Sequence, residues 1–430
     1  MLLDFLAASS RIVLASIFWV AVRLFHHVKV HGLERASGKH PSFYAMAHKR
    51  DLDPMVEVPS VLARRGWKAL AGDVHFAMRG DAFTPGFLAR LVSYPRWFAR
   101  FLRLLSLGAI LRRLGIMPLE NLHVRPAEVW IREWLDTQSD RRSDQVLTLT
   151  FLQHVAKMSG EDVQSLQALP LSHLLSWHYQ EALQTWYSAD IFIESARRHM
   201  KRVVLKKLKQ QLADLAAWLS RGGSLWSAPE GQLSTDGTLG MLTPILHRLL
   251  QKSPPDTCVI PICITYDFMS TGGSGIFVNL APPIASPLPA KELETQLRHT
   301  WLLHACFSCT QLASGFLVEK HRAADASFTL DDLANSVQQQ AARLAEAGRQ
   351  VDQRLLNPRT ARKLASRYVD YASRHHIVRS IGHNAWEPTV GDLLIQVRPG
   401  EVGYRQAPLA YAWNELQEML SVSFPVVIQA

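Results

Sequence analysis

The sequence predicts an α/β fold, a mixed sheet flanked by helices, with a helical insertion and a helical C-terminal extension. Three observations predict it. Ser42-Phe43-Tyr44-Ala45-Met46-Ala47 is a short, aromatic, apolar run bounded by Pro41, which reads as a buried strand. Gly275 to Leu280 is strand-like and closes the expected sheet, before a linker marked by Pro282-Pro283 and Pro287 to Pro289. Elsewhere the apolar residues recur at helical spacing: Leu205 to Leu219, Lys291 to Lys320, Asp331 to Leu355 (opened by Thr329 or Asp331), and from Pro358 through Arg374.

The 430 residues can hold one large domain with additions, or two to three domains. A hydrophobic content of 48% with 20% charged residues describes an ordered chain and excludes a disordered one. The formal net charge of +10 suits nucleic acid, anionic lipid or an acidic substrate. No RNA-binding or helix-turn-helix signature accompanies it, so an anionic membrane surface is the expected partner and nucleic acid is not. Cys258, Cys263, Cys306 and Cys309 are too few for a disulfide framework. Cys306-Phe307-Ser308-Cys309 has metal-like spacing but no second pair. It lies in an apolar stretch, Leu297 to Leu317, that reads as a core helix, so no metal site is expected.

The chemistry is concentrated in His48-Lys49-Arg50-Asp51-Leu52-Asp53, directly after the first strand. The carboxyl end of a strand is where an α/β fold presents side chains to a ligand. A neutral imidazole there can take a proton from a hydroxyl. A carboxylate can fix its tautomer and stabilise the imidazolium that forms. No Gly-x-Ser-x-Gly elbow is present, so the base acts on the substrate's own hydroxyl rather than on an enzyme serine.

Gly32-Leu33-Glu34, the strand, His48 to Asp53 and Pro54 together resemble the first motif of the PlsC-like glycerolipid acyltransferase family, with its His-x4-Asp signature. Ser227-Ala228-Pro229-Glu230-Gly231-Gln232-Leu233-Ser234-Thr235-Asp236-Gly237 resembles that family's Pro-Glu-Gly block, after the helix and the turn Arg221-Gly222-Gly223. Val259 to Tyr266 resembles a later strand that carries a proline, here Pro261. The resemblance implies acyl transfer from a thioester, acyl-CoA or acyl-carrier protein, to a hydroxyl of a lipid acceptor, with His48 as base and Asp53 orienting it. It implies no further cofactor. Glu230 and Gly231 would shape the acceptor site.

Two departures bear on the acceptor. Asn121, at the end of Gly115-Ile116-Met117-Pro118-Leu119-Glu120-Asn121, and Leu233 stand where the family commonly has arginine. A guanidinium suits a phosphate and neither residue replaces it. Arg125 could substitute in space, as could Lys49 or Arg50. The acceptor is lysophosphatidic acid or glycerol 3-phosphate if one of them does. Otherwise it is a non-phosphate lyso-lipid, an amino-lipid or a glycolipid. An inactive membrane-bound scaffold of the same fold, or a hydrolase, are the other readings.

The remaining segments set the domain plan. Residues 1–27 hold the apolar run Ile12 to Val22 between Arg11 and Arg23, shorter than the ~20 residues of a membrane span. A helix lying in the membrane interface is expected there, on the cytoplasmic face, peripheral or monotopic. Arginines interleave with aromatics from Phe83 to Leu114, which suits a lipid headgroup boundary. Residues 28–121 and 200–285 form the α/β core. Residues 122–199 are a helical insertion, with helices over Pro126 to Thr137, Val146 to Met158, Glu161 to Ala168 and Ser172 to Tyr187, and with Trp177, His178, Trp186 and Tyr187 in its aromatic core. Residues 286–430 are a helical C-terminal region without an assigned role, ending in short apolar runs at Leu393 to Val397 and Val422 to Ile428.

Overall fold

A computed structural model of the protein describes residues 2–36, 41–50, 53, 56, 74–85, 87, 106–120, 124–231, 233–285, 288–323, 326–389 and 403–422. The chain forms two compact units, residues 1–74 with 219–430, and residues 75–218.

The first unit is built on a mixed sheet. Its strands are β1 (His27–His31), β2 (Ser42–Met46), β3 (Ser224–Ser227), β4 (Cys258–Asp267), β5 (Gly275–Leu280) and β6 (Ile284–Ala285). The order is β1-β5-β4-β2-β3, with β6 also paired to β4. β2, β3 and β4 are parallel, with Phe43 opposite Leu225 and Val259. β5 runs antiparallel to β4, and β1 runs parallel to β5. Every residue of β2, β3 and β5 is buried, and every residue of β4 except Cys258. This is why these strands read as unbroken apolar runs rather than alternating ones. Gly275–Leu280 was expected to close the sheet, but it is interior: His27–His31 pairs outside it. β4 tolerates Pro261 because of what lies beside it. The Pro261 carbonyl accepts from Ala281 N at 2.9 Å, so its missing N–H faces the point where β5 has ended and β6 begins.

Among the described residues, five helices of more than ten residues in the C-terminal region belong to the same unit. With α1 as Leu2–Phe25, they are α2 (Ala290–His304), α3 (Cys309–Arg322), α4 (Leu330–Glu346), α5 (Pro358–Arg374) and α6 (Pro408–Leu420). Trp301 of α2 is buried and donates to Ala45 O of β2 at 3.1 Å. Met269, just past β4, joins Leu312, Leu333, Tyr368 and Leu416 in one apolar core. The expected break between core and C-terminal region at residue 285 is therefore not a break in packing. The single helix expected over 291–320 is two, interrupted at Ala305–Ser308. Asp267 at the end of β4 accepts from Thr310 N at 2.9 Å and Thr310 Oγ1 at 2.8 Å, and a Ser308–Gln311 capping box restarts the chain as α3. Cys306 lies within that break and Cys309 opens α3, and burial pushes both thiols well up. α4 starts at its Thr329 cap and α5 at Pro358, both as expected. The runs at Leu393 to Val397 and Val422 to Ile428 lie outside the described residues apart from Val422.

α1 spans the expected amino-terminal run. Val13, Ile17, Val20 and Leu24 recur on one of its faces and are each more than half exposed. No helix among the described residues is long and apolar enough to cross a membrane.

The second unit contains a parallel strand pair, with Phe76 to Arg79 opposite Ile116 to Leu119, and a helical cluster around Trp130, Leu152, Phe192 and Met200. Helices run over Ala127–Thr137, Leu149–Ser159 and Val163–Ala168, the last capped by Asp162. The helix expected over Ser172 to Tyr187 is instead a series of short turns, with Trp186–Tyr187 paired to Arg125–Pro126. Helix Glu194–Ser220 is continuous, so the insertion boundary expected at 199/200 falls inside it. Most of the arginine–aromatic stretch, residues 88–105, lies outside the described residues.

Candidate active site

Because β2, β3 and β4 are parallel, their carboxyl ends share one edge of the sheet. His48 follows β2, Ala228 to Gly231 follow β3, and Tyr266 lies at the end of β4. Parallel pairing thus brings together three segments far apart in sequence.

Asp53 is fully buried. One of its carboxylate oxygens, Oδ2, accepts from His48 Nδ1 at 3.0 Å, Lys49 N at 2.7 Å and Arg50 N at 2.8 Å. The other, Oδ1, accepts from the Tyr266 hydroxyl at 2.5 Å. Four donors on one side chain fix its position and direction. The carboxylate in turn holds the imidazole through Nδ1, so the tautomer with its proton on Nδ1 is the one that donates. Nε2 is then the nitrogen left to accept a proton, on a side chain that keeps 21% of its surface exposed.

Glu230 is 4% exposed and both its oxygens take backbone donors. Oε2 accepts from His48 N at 2.7 Å and Oε1 from Gly240 N at 2.6 Å. Burial raises its pKa, against the lowering effect of the His48 N–H and of Lys49. Glu230 therefore ties the turn that carries His48 to the loop after β3. A second tie between them runs from Ser234 N to His48 O at 3.1 Å. Gly231 is exposed at φ +72, the left-handed conformation that lets the chain turn at Pro229–Glu230 while Gly231 N bonds to Ala228 O at 3.0 Å.

The neighbouring cations differ in their surroundings. Lys49 is buried, donates to Gly237 O at 2.9 Å and pairs with Glu415 at 3.5 Å. Burial works against its charge, but Glu415, Tyr411, Glu230 and Glu418 prevail and hold its pKa above the ordinary lysine value. The Arg50 guanidinium lies over the rings of Tyr266 and Phe268, 4.6 and 4.3 Å from their centroids. Arg125 belongs to the second unit. It is 2% exposed, bonded to Glu120 at 2.6 Å and Glu133 at 2.7 Å, and stacked over Trp130. Asn121, Asp51 and Leu52 lie outside the described residues. Leu233 is half-buried.

Sequence reasoning singled out His48, Asp53 and Glu230, which meet. It missed Tyr266, whose only signal was a polar tip at the carboxyl end of an apolar strand. It also missed Glu415 and Glu418 on α6. Among the described residues, no group of His, Cys, Asp or Glu side chains has the makings of a metal site.

No family model matches the chain, and a search of the curated proteins found no match. Among solved structures, the chain is similar to the 1-acyl-sn-glycerophosphate (LPA) acyltransferase PlsC from Thermotoga maritima, with a TM-score of 0.33 and 10% sequence identity, over 68% of this chain and 76% of that one.

Proposed function

We propose that the protein is an O-acyltransferase that moves a fatty acyl group from a thioester, acyl-CoA or acyl-carrier protein, to a hydroxyl of a lipid acceptor in phospholipid biosynthesis. The observation that carries this reading is the His48–Asp53 pair, with a buried carboxylate held by three further donors and an imidazole aimed by it. His48 Nε2 takes the proton of the acceptor hydroxyl as its oxygen attacks the thioester carbonyl. The tetrahedral intermediate collapses, the carbon–sulfur bond breaks, and the imidazolium returns its proton to the leaving thiolate. Asp53 stabilises that imidazolium and keeps its ring oriented. Glu230 fixes the backbone of the base, and Gly231 lies beside it where an acceptor would sit.

The acceptor in this reading is lysophosphatidic acid or glycerol 3-phosphate, with Arg50 beside the base to meet the phosphate. A second reading, a lyso-lipid, amino-lipid or glycolipid without phosphate, is favoured by the carboxylate partners that Arg125 and Lys49 already have. We place the protein peripherally or monotopically at the cytoplasmic face of a membrane, and the apolar stripe on α1 supports the attachment.

Thioester consumption measured with and without a panel of lyso-lipids tests the proposal. Acceptor-dependent consumption is the expected result. Consumption independent of acceptor would make the protein a hydrolase, and none at all would leave an inactive scaffold.

A further inference from the structure

We propose that α6, near the end of the described chain, is a positioning element of the active site, with Glu418 and Glu415 setting the loop that fixes the catalytic base. The functional part of this inference rests on the acyl-transfer reading; the positioning part does not.

The contacts form a continuous path. Glu418 Oε2 accepts from Leu239 N at 2.7 Å, and Oε1 accepts from Arg298 Nη2 at 3.2 Å. Arg298 also donates to Gly240 O at 2.6 Å and Leu239 O at 3.2 Å. Glu415 pairs with Lys49 and accepts from Gln311 Nε2 at 2.8 Å, while Lys49 reaches across to Gly237 O. Asn414 Nδ2 donates to Asp236 O at 3.0 Å. Gly237 sits at φ +95 with the Tyr411 carbonyl only 2.1 Å from where a Cβ would be, so the loop touches the helix backbone directly. The cavity left behind this junction, lined by Lys49, Leu239, Trp301, Glu415 and Glu418 among others, is only about 20 Å³. From the loop the path has two more links: Gly240 N to Glu230, and Glu230 to His48 N.

Two sets of α6 residues have separable roles. Leu409, Leu416 and Met419 pack into the apolar core. Asn414, Glu415 and Glu418 instead direct polar groups at the loop or at Lys49, which holds it. Helix burial alone does not require that arrangement. A displacement of the base by a fraction of an ångström weakens proton transfer without unfolding anything, so the polar set acts on the rate of the chemical step.

The test compares Glu418→Gln with the parent protein by amide hydrogen exchange, melting temperature and steady-state kinetics. Gln at 418 keeps the apolar packing of α6. It removes the charge facing Arg298, and its amide turns a donor towards either Arg298 or Leu239 N. Exchange at the Leu239, Gly240 and His48 amides should accelerate on the order of tenfold, as a locally loosened loop opens more often. The kcat should fall on the order of tenfold, because misplacing a catalytic group by about 1 Å costs up to ~10²-fold, while the thioester KM is unchanged. Gly237→Ala, which forces loop and helix apart, should show the same pattern more strongly. Glu319→Gln, on an exposed site of α3, should change none of these. Unchanged exchange at Gly240 and His48 in folded Glu418→Gln overturns the proposal. If exchange responds while the parent protein consumes no thioester, the positioning role stands and the acyl-transfer reading falls.

Discussion

Asp53→Asn is the most informative single substitution at the site. Asn can keep its amide oxygen where Oδ2 stands, still accepting from His48 Nδ1, Lys49 N and Arg50 N. Its NH2 then faces the Tyr266 hydroxyl, which can rotate to accept. The fold should therefore persist, and what is lost is the negative charge beside a developing imidazolium. A charge-assisted hydrogen bond is worth roughly 1.5 to 3 kcal/mol, which sets the lower bound. Unit charges 3.0 Å apart at an effective dielectric of about 20 attract by ~5 to 6 kcal/mol, which sets the upper bound. At ~1.4 kcal/mol per factor of ten, kcat should fall between ~10-fold and ~10⁴-fold. Asp53→Ala is the poorer experiment. It strands three further donors in a fully buried site, each costing ~1 to 3 kcal/mol, so lost activity would be confounded with lost stability. The assay is acceptor-dependent thioester consumption, with thermal melting as the control. A folded Asp53→Asn protein with kcat within threefold of the parent would refute the role assigned to the carboxylate.

Tyr266→Phe removes one donor from Asp53 and should lower kcat by about tenfold, the worth of one hydrogen bond to a charged group, with little change in KM. Arg125→Ala should lower the stability of the second unit by ~3 to 5 kcal/mol, read by denaturant unfolding, because it leaves Glu120 and Glu133 without their shared guanidinium. If it instead leaves stability unchanged and raises the KM for a phosphorylated acceptor, Arg125 is an acceptor ligand after all. Ile17→Asp with Val20→Asp on the exposed face of α1 should weaken co-sedimentation with anionic vesicles, since each charge opposes burial in the interface. Undiminished binding would assign membrane attachment to another surface.

The readable parts of this chain are those set by local sequence. His48 and Asp53 lie five positions apart on one turn, so their meeting needs only a strand that ends before them. The buried strands announce themselves as short apolar runs because both faces are covered. What escaped was set by distant partners. Tyr266 reaches Asp53 from 213 positions away, and nothing in the residues around it marks the contact. The interruption between α2 and α3 is imposed by Asp267 holding Thr310, across a stretch whose apolar pattern would continue a helix. Arg125 is the exception, since its partners Glu120 and Glu133 are close in sequence; it looked available for a phosphate because nothing there signals that both converge on it. Glu415 and Glu418 lie within one turn of an ordinary amphipathic helix. Only the fold directs them at the active-site loop.

His48→Ala, assayed for acceptor-dependent thioester consumption alongside a melting curve, tests the central claim most directly. If His48 is the base, the variant is a folded protein whose turnover is lower by ~10²-fold to ~10⁴-fold, the usual contribution of a general base. Near-parental turnover in folded His48→Ala would contradict that role.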